Sequence, residues 1–176
     1  GLKGNQIPLE DQIIKVADEY DAIVSKRQYK THIKISETLK ILIKEAQPST
    51  KEVALDNAAN GAKVGRLNKK VVKTLFKVVI EDTEYEISCL MGYIKFLKDE
   101  IKRLETIQDY ENKMYNSKTE KKKKYYEEGM KLLFSEGENF DNYPDVLSEY
   151  KEALENRNGI IDSLFDEIKI IKKLKV

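Results

Sequence analysis

The 176-residue sequence predicts an all-α fold, an elongated antiparallel helical bundle with two long helices and several shorter ones. Three observations lead there. Apolar residues recur at alternating steps of three and four, the spacing that forms one stripe on a helix. Pro and Gly are scarce, at three and eight residues, against an all-β chain with many turns. With 40% apolar and 36% charged residues, the composition suits a narrow core under a wide solvated surface.

At this length the simplest organisation is one domain over 1–176, with 1–8 as a flexible leader. A first helix is expected from about Leu9 to Lys26, with Leu9, Ile13, Val16, Tyr20 and Ile23 as its buried stripe. Glu10 and Asp11 complement its positive end. A second runs from Thr31 or Ser36 to Ala46, lined by Leu39, Leu42, Ile43 and Ala46, and Pro48 ends it.

Ser49 and Glu52 form a capping box. Behind it Ala54, Ala58 and Ala62 repeat every fourth residue, as do Gly61 and Gly65. Such small faces allow a tight helix crossing in the core or a dimer seam. A phosphate loop is disfavoured, since no Gly-Lys-Ser/Thr follows. From Val64 the helical pattern resumes through Leu67, Val71, Leu75, Val78 and Val79. Lys69, Lys70, Lys73 and Lys77 lie mainly opposite, and Glu81-Asp82 closes the segment.

The strongest pattern lies between Thr83 and Tyr115. Ile87, Leu90, Ile94, Leu97, Ile101 and Leu104 make an unbroken seam, and Thr83 with Glu86 reads as the capping box that starts it. Such a helix is roughly 50 Å long and needs partners along its length. Cys89, the only cysteine, is expected to be a buried small hydrophobe beside this seam. Ser117 and Glu120 offer a third capping box, before Lys121–Lys124 and Tyr125-Tyr126. Tyr126, Met130 and Leu133 point inward on that helix. The last helix starts near Pro144-Asp145. Its seam is Leu147, Tyr150, Leu154, Ile161, Leu164, Ile168 and Ile171, with a kink or split expected at Asn158-Gly159.

No catalytic, metal or cofactor site is expected. A zinc site needs several Cys or His, and the chain has one of each. His32 has no second His and reads as a surface residue. No local motif joins His32 to Ser or Cys89 as a triad would require. The net charge of +1 gives no field pointing to nucleic acid or an acidic membrane. The basic run beside Tyr125-Tyr126 is a thin basis for nucleic-acid binding, and no apolar run is long enough to span a bilayer.

Two surfaces remain. Ser135–Tyr143 is an acidic loop with two aromatics, and Glu136, Glu138, Asn139, Phe140, Asp141 and Tyr143 are the partner-binding candidates. Against that reading, Phe140 and Tyr143 can fold back onto the bundle. The alternative is basic: Lys69, Lys73, Lys121, Lys122, Lys123 and Lys124, which suit a sulfated polysaccharide or an acidic protein.

Gly1-Leu2-Lys3-Gly4, then Ile7, Leu9-Glu10, and later Asp18-Glu19 and Asp21-Ala22-Ile23 resemble the start of mature decorin-binding lipoproteins of Borrelia, over about 25 residues. In those proteins a Gly-Leu-Lys-Gly run follows the lipidated Cys. The Tyr-rich, evenly charged remainder is similar to other small helical surface lipoproteins of these spirochaetes, including factor H-binding ones. The resemblance implies an outer-membrane surface protein held by a lipid on a Cys before Gly1. It implies a host serum or matrix protein as partner, with complement regulator factor H favoured, and contact with membrane only through that anchor. Decorin or glycosaminoglycan binding is the adhesin alternative. Apart from the resemblance, an intracellular coiled-coil assembly protein also fits the long seams.

Overall fold

A computed structural model describes residues 6–28, 34–47 and 66–176. The protein is an all-α helical bundle, with five helices and no strand among the described residues. They are α1 (Leu9–Gln28), α2 (Ile35–Ala46), α3 (Lys69–Tyr115), α4 (Glu120–Leu133) and α5 (Tyr143–Lys173). Most of the leader, His32, Pro48, the Ser49–Glu52 capping box and the Ala54–Gly65 segment lie outside the described residues. No described helix is long and apolar enough to cross a membrane. Contacts group into two compact units, 1–86 with 164–176 and 87–163. Both α3 and α5 contribute residues to each.

The first unit is built around Val16 of α1, Leu39, Leu42 and Ala46 of α2, Leu67, the start of α3, and Ile171 of α5. The α1 stripe is shorter than expected. Tyr20 and Ile23 pack on this core, but Leu9 and Ile13 are exposed. Lys34, the N-cap of α2, offers its helix no side-chain bond. Glu167 of α5 supplies it instead: its carboxylate accepts from the Ser36 backbone N–H at 2.9 Å, with both residues buried. A negative charge at the positive end of α2 is favourable.

α3 is one helix of 47 residues, about 70 Å long, where the sequence predicts two pieces. Thr83 is not a cap. It is buried in mid-helix, and its hydroxyl donates to the Val79 carbonyl at 2.7 Å. The helix starts instead at Asn68, whose Oδ1 accepts from the backbone of Lys70 at 2.8 Å and Val71 at 3.3 Å. That start sets a different buried line for the first part of α3. Val72, Phe76 and Val79 are buried, Val71 and Leu75 are half-buried, and Val78 is exposed. Cys89 is likewise exposed, because Ile87 and Ile94 fill the inward positions on either side of it.

In the second unit Ile101, Leu104 and Ile107 of α3 pack with Met130 of α4 and with Tyr143 and Leu147 of α5. Thr119, rather than Ser117, caps α4 by accepting from the Lys122 N–H at 3.4 Å. The Ser117 hydroxyl donates back to the Lys113 carbonyl at 2.6 Å and finishes α3. α5 runs unbroken through Asn158-Gly159, since a glycine inside a well-packed helix weakens it without ending it.

Candidate functional site

Both candidate surfaces of the second unit are connections at the two ends of α4. The loop that follows α4 is built by its own polar groups. Gly137 takes the left-handed turn, at φ 81°, that other residues resist. Asn139 accepts from the backbone of Asp141 at 2.9 Å and of Asn142 at 3.0 Å. Asn142 accepts from the Asn139 N–H at 2.8 Å and donates to the Gly137 carbonyl at 2.8 Å. This reciprocal pairing leads the chain into α5.

Arg103 of α3 holds the loop from below. Its guanidinium donates to both Glu138 oxygens, at 2.7 and 2.8 Å, to the Leu133 carbonyl at 2.8 Å, and to Glu100 at 2.7 Å. The Ser135 N–H completes the Glu138 carboxylate at 3.0 Å. The Arg103 bonds, and less so the Ser135 N–H, hold the Glu138 carboxyl below the usual glutamate range, against the opposing effect of burial. The same two carboxylates push the Arg103 guanidinium up.

The aromatics turn inward. Tyr143 is buried, and its hydroxyl donates to Glu111. Burial, then that bond, push its phenol up. Phe140 is half-buried and meets Phe134 edge to face at 5.1 Å. Of the six candidates here, the structure therefore leaves Glu136, Asn139 and Asp141 exposed. Glu138, Phe140 and Tyr143 are engaged in holding the loop.

The connection before α4 is different. Residues 113–124 hold six lysines and one acid, Glu120. Lys113 pairs with Asp109 at 2.6 Å, Lys123 with Glu120 at 3.3 Å and Lys124 with Glu128 at 3.9 Å. The Asp109 bond raises the Lys113 ammonium. Lys118, Lys121 and Lys122 are exposed and make no ion pair among the described residues. Two open clefts flank the turn. One, of about 570 Å³, is lined by Asp109, Lys113, Ser117, Lys118, Lys122 and Tyr126. The other, of about 520 Å³, lies against Tyr115, Lys123 and Lys124. Tyr115 and Tyr125 present their rings beside these lysines at 72% and 68% exposure.

Lys69 and Lys73 are exposed on the first turns of α3 and belong to the first unit. Sequence reasoning missed Arg103, Lys113 and Lys118. Arg103 did carry a signal: it is one of four arginines in a lysine-rich chain, and a planar fork is what bidentate carboxylate pairing requires.

Among the described residues no three His, Cys, Asp or Glu side chains are placed to share a metal ion. Among the described residues the geometry is that of a helical bundle offering charged connections and open clefts. An HD domain family model matches residues 1–50, which is 50 of 176 residues. That stretch holds one histidine, His32, followed by Ile33 rather than Asp. No curated protein and no solved structure matches the chain.

Proposed function

We propose that this chain is a non-enzymatic surface lipoprotein that binds an anionic host ligand, with glycosaminoglycan as the chemistry its exposed groups suit best. The observation that carries this reading is the turn before α4, where Lys118, Lys121 and Lys122 stand without acidic partners between exposed Tyr115 and Tyr125. Ammonium groups on flexible stems follow a chain of sulfates without needing an enclosed pocket. Neighbouring Tyr rings add apolar area for sugar faces. The lipid anchor and the outer-membrane surface come from the amino-terminal resemblance.

The complement-regulator reading rests on the loop before α5. It is supported by the exposed carboxylates of Glu136 and Asp141, and weakened by the inward packing of Phe140 and Tyr143. Surface plasmon resonance separates the two. The chain is passed over immobilised heparin, over decorin with and without its polysaccharide, and over factor H. Saturable binding to heparin and intact decorin, lost on stripped decorin and weakened by salt, is the expected result. Binding to factor H alone, sensitive to Glu136→Gln and Asp141→Asn, would move the function to the acidic loop. No binding to any of them at micromolar concentration sinks both.

A further inference from the structure

The two clefts beside the turn before α4 differ in kind. The first is lined by three lysines, Lys113, Lys118 and Lys122, and one acid, Asp109. The second is lined by two lysines, Lys123 and Lys124, and two acids, Glu120 and Glu127. Both lysines of the second cleft are in ion pairs, with Glu120 and Glu128. An anion there meets balanced charge and must displace a carboxylate to reach either ammonium. In the first cleft Lys118 and Lys122 have no such competitor among the described residues. Tyr126 also lines this cleft and is half-buried. Its ring is braced edge-on by Tyr110 at 5.7 Å and Tyr125 at 5.3 Å, so it is in place before a ligand arrives. Asn112 and Asn116 add amides that donate and accept, and Thr119 adds a hydroxyl. The second cleft has no amide.

Resting on the glycosaminoglycan reading above, we propose that the first cleft is where the polysaccharide is read, and that Asp109 sets the affinity by occupying Lys113. One sulfated sugar unit lies against the Tyr126 ring, with Lys118 and Lys122 on its sulfates. The amides of Asn112 and Asn116 serve its hydroxyls. Ammonium, amide and aromatic face together match the three kinds of surface such a sugar has. Asp109 is the one group in the cleft that opposes an anion. It holds Lys113 at 2.6 Å, with both side chains half-exposed. A half-exposed pair of this kind is weak, so a sulfate can take Lys113 from it. The carboxylate left behind then stands beside the bound anion and repels it. Asp109 therefore restrains binding at a site that the lysines favour.

Lysine acetylation of the full chain, with and without a heparin hexasaccharide, tests this, with mass spectrometry reading the rate at each lysine. The hexasaccharide is expected to slow Lys113, Lys118 and Lys122 by about threefold or more, and Lys123 and Lys124 by less than about twofold. Asp109→Asn is expected to tighten hexasaccharide binding about threefold, with an unchanged helical circular dichroism signal. Asp162→Asn makes the same charge change at an exposed position of α5 and is expected to leave the affinity unchanged. Protection centred on Lys123 and Lys124, or on Lys69 and Lys73, overturns the cleft and leaves the glycosaminoglycan reading standing. So does an Asp109→Asn variant that binds no tighter than wild type. A wild-type chain that binds no heparin overturns both.

Discussion

Arg103 shows how much one side chain organises in this protein. It ties the α4 carboxyl end, through the Leu133 carbonyl, to the loop beyond it, through Glu138, and both partners sit on the flank of α3. The Glu138 side chain is 8% exposed, so removing its partner strands a carboxylate with little water. Arg103→Leu is expected to cost about 2 kcal/mol in urea unfolding. The pair also sets a pH dependence. Folding lowers the Glu138 pKa. Its contribution is therefore complete above the unfolded-state value, about 4.3, and is lost as pH falls through the lower folded-state value. Wild-type stability is expected to decline across that acid window more steeply than that of Glu138→Gln. Equal slopes in parallel urea titrations would show that the pair is not energetically coupled to folding. The loop's role in the sequence reading changes for the same reason. Acids beside aromatics look the same whether they face a partner or the bundle, and Phe140 and Tyr143 are claimed by the apolar patch around Met130 and Leu147.

Among the elements, α3 was the most legible and also the most misread. The seam from Ile87 to Leu104 lies where its period places it, with only Leu90 less than fully buried. The break expected at Glu81-Asp82-Thr83 is absent, because a local capping signature competes with a seam that continues on both sides of it. Thr83 follows Val72, Phe76 and Val79 into the core and satisfies its hydroxyl on its own helix. That bond is local, whereas an added methyl would be buried. Thr83→Val is therefore expected to raise stability by about 0.5–1 kcal/mol, and a loss on urea unfolding would mean that the hydroxyl has a further structural role. Glycines test helix packing in the same way. A Cβ at Gly159 meets nothing within 4 Å, so Gly159→Ala is expected to stabilise α5 by about 0.8 kcal/mol. At Gly129 of α4 a Cβ would lie 2.9 Å from the Tyr110 ring of α3, which itself meets Tyr126 at 5.7 Å. Gly129→Ala is expected to lose about 1 kcal/mol despite its better helix propensity. Thermal unfolding of the two variants should move in opposite directions. The all-α class, the α2 face and the α5 seam were legible because each is a periodic pattern with a single partner face. Leu9, Ile13 and Cys89 were not, because periodicity shows which face is apolar and not whether anything packs against it.

For the whole molecule, the charge balance constrains how an anionic ligand can be bound. Net charge is +1, so no long-range field draws a polyanion to the chain, and attraction must arise within about a Debye length of the lysine turn, roughly 8 Å in physiological salt. A neutral protein with a local basic surface therefore makes a sharper prediction than a basic one. Replacing Lys118, Lys121 and Lys122 by Gln takes the net charge from +1 to −2, a change of three. A second triple at Lys40, Lys44 and Lys98, all exposed and none within 113–124, makes the same change elsewhere. If binding were a response to total charge, both variants would weaken equally on immobilised heparin. If the turn is the site, the first should lose about 1 kcal/mol per lysine, or roughly a hundredfold in total, while the second stays within a few-fold of wild type. The apparent affinity of the first should also fall less steeply with salt, because fewer ammonium groups remain at the contact. A first variant that still binds as tightly as wild type would remove the turn from the site and leave Lys69 and Lys73, in the other unit, as the basic surface to examine.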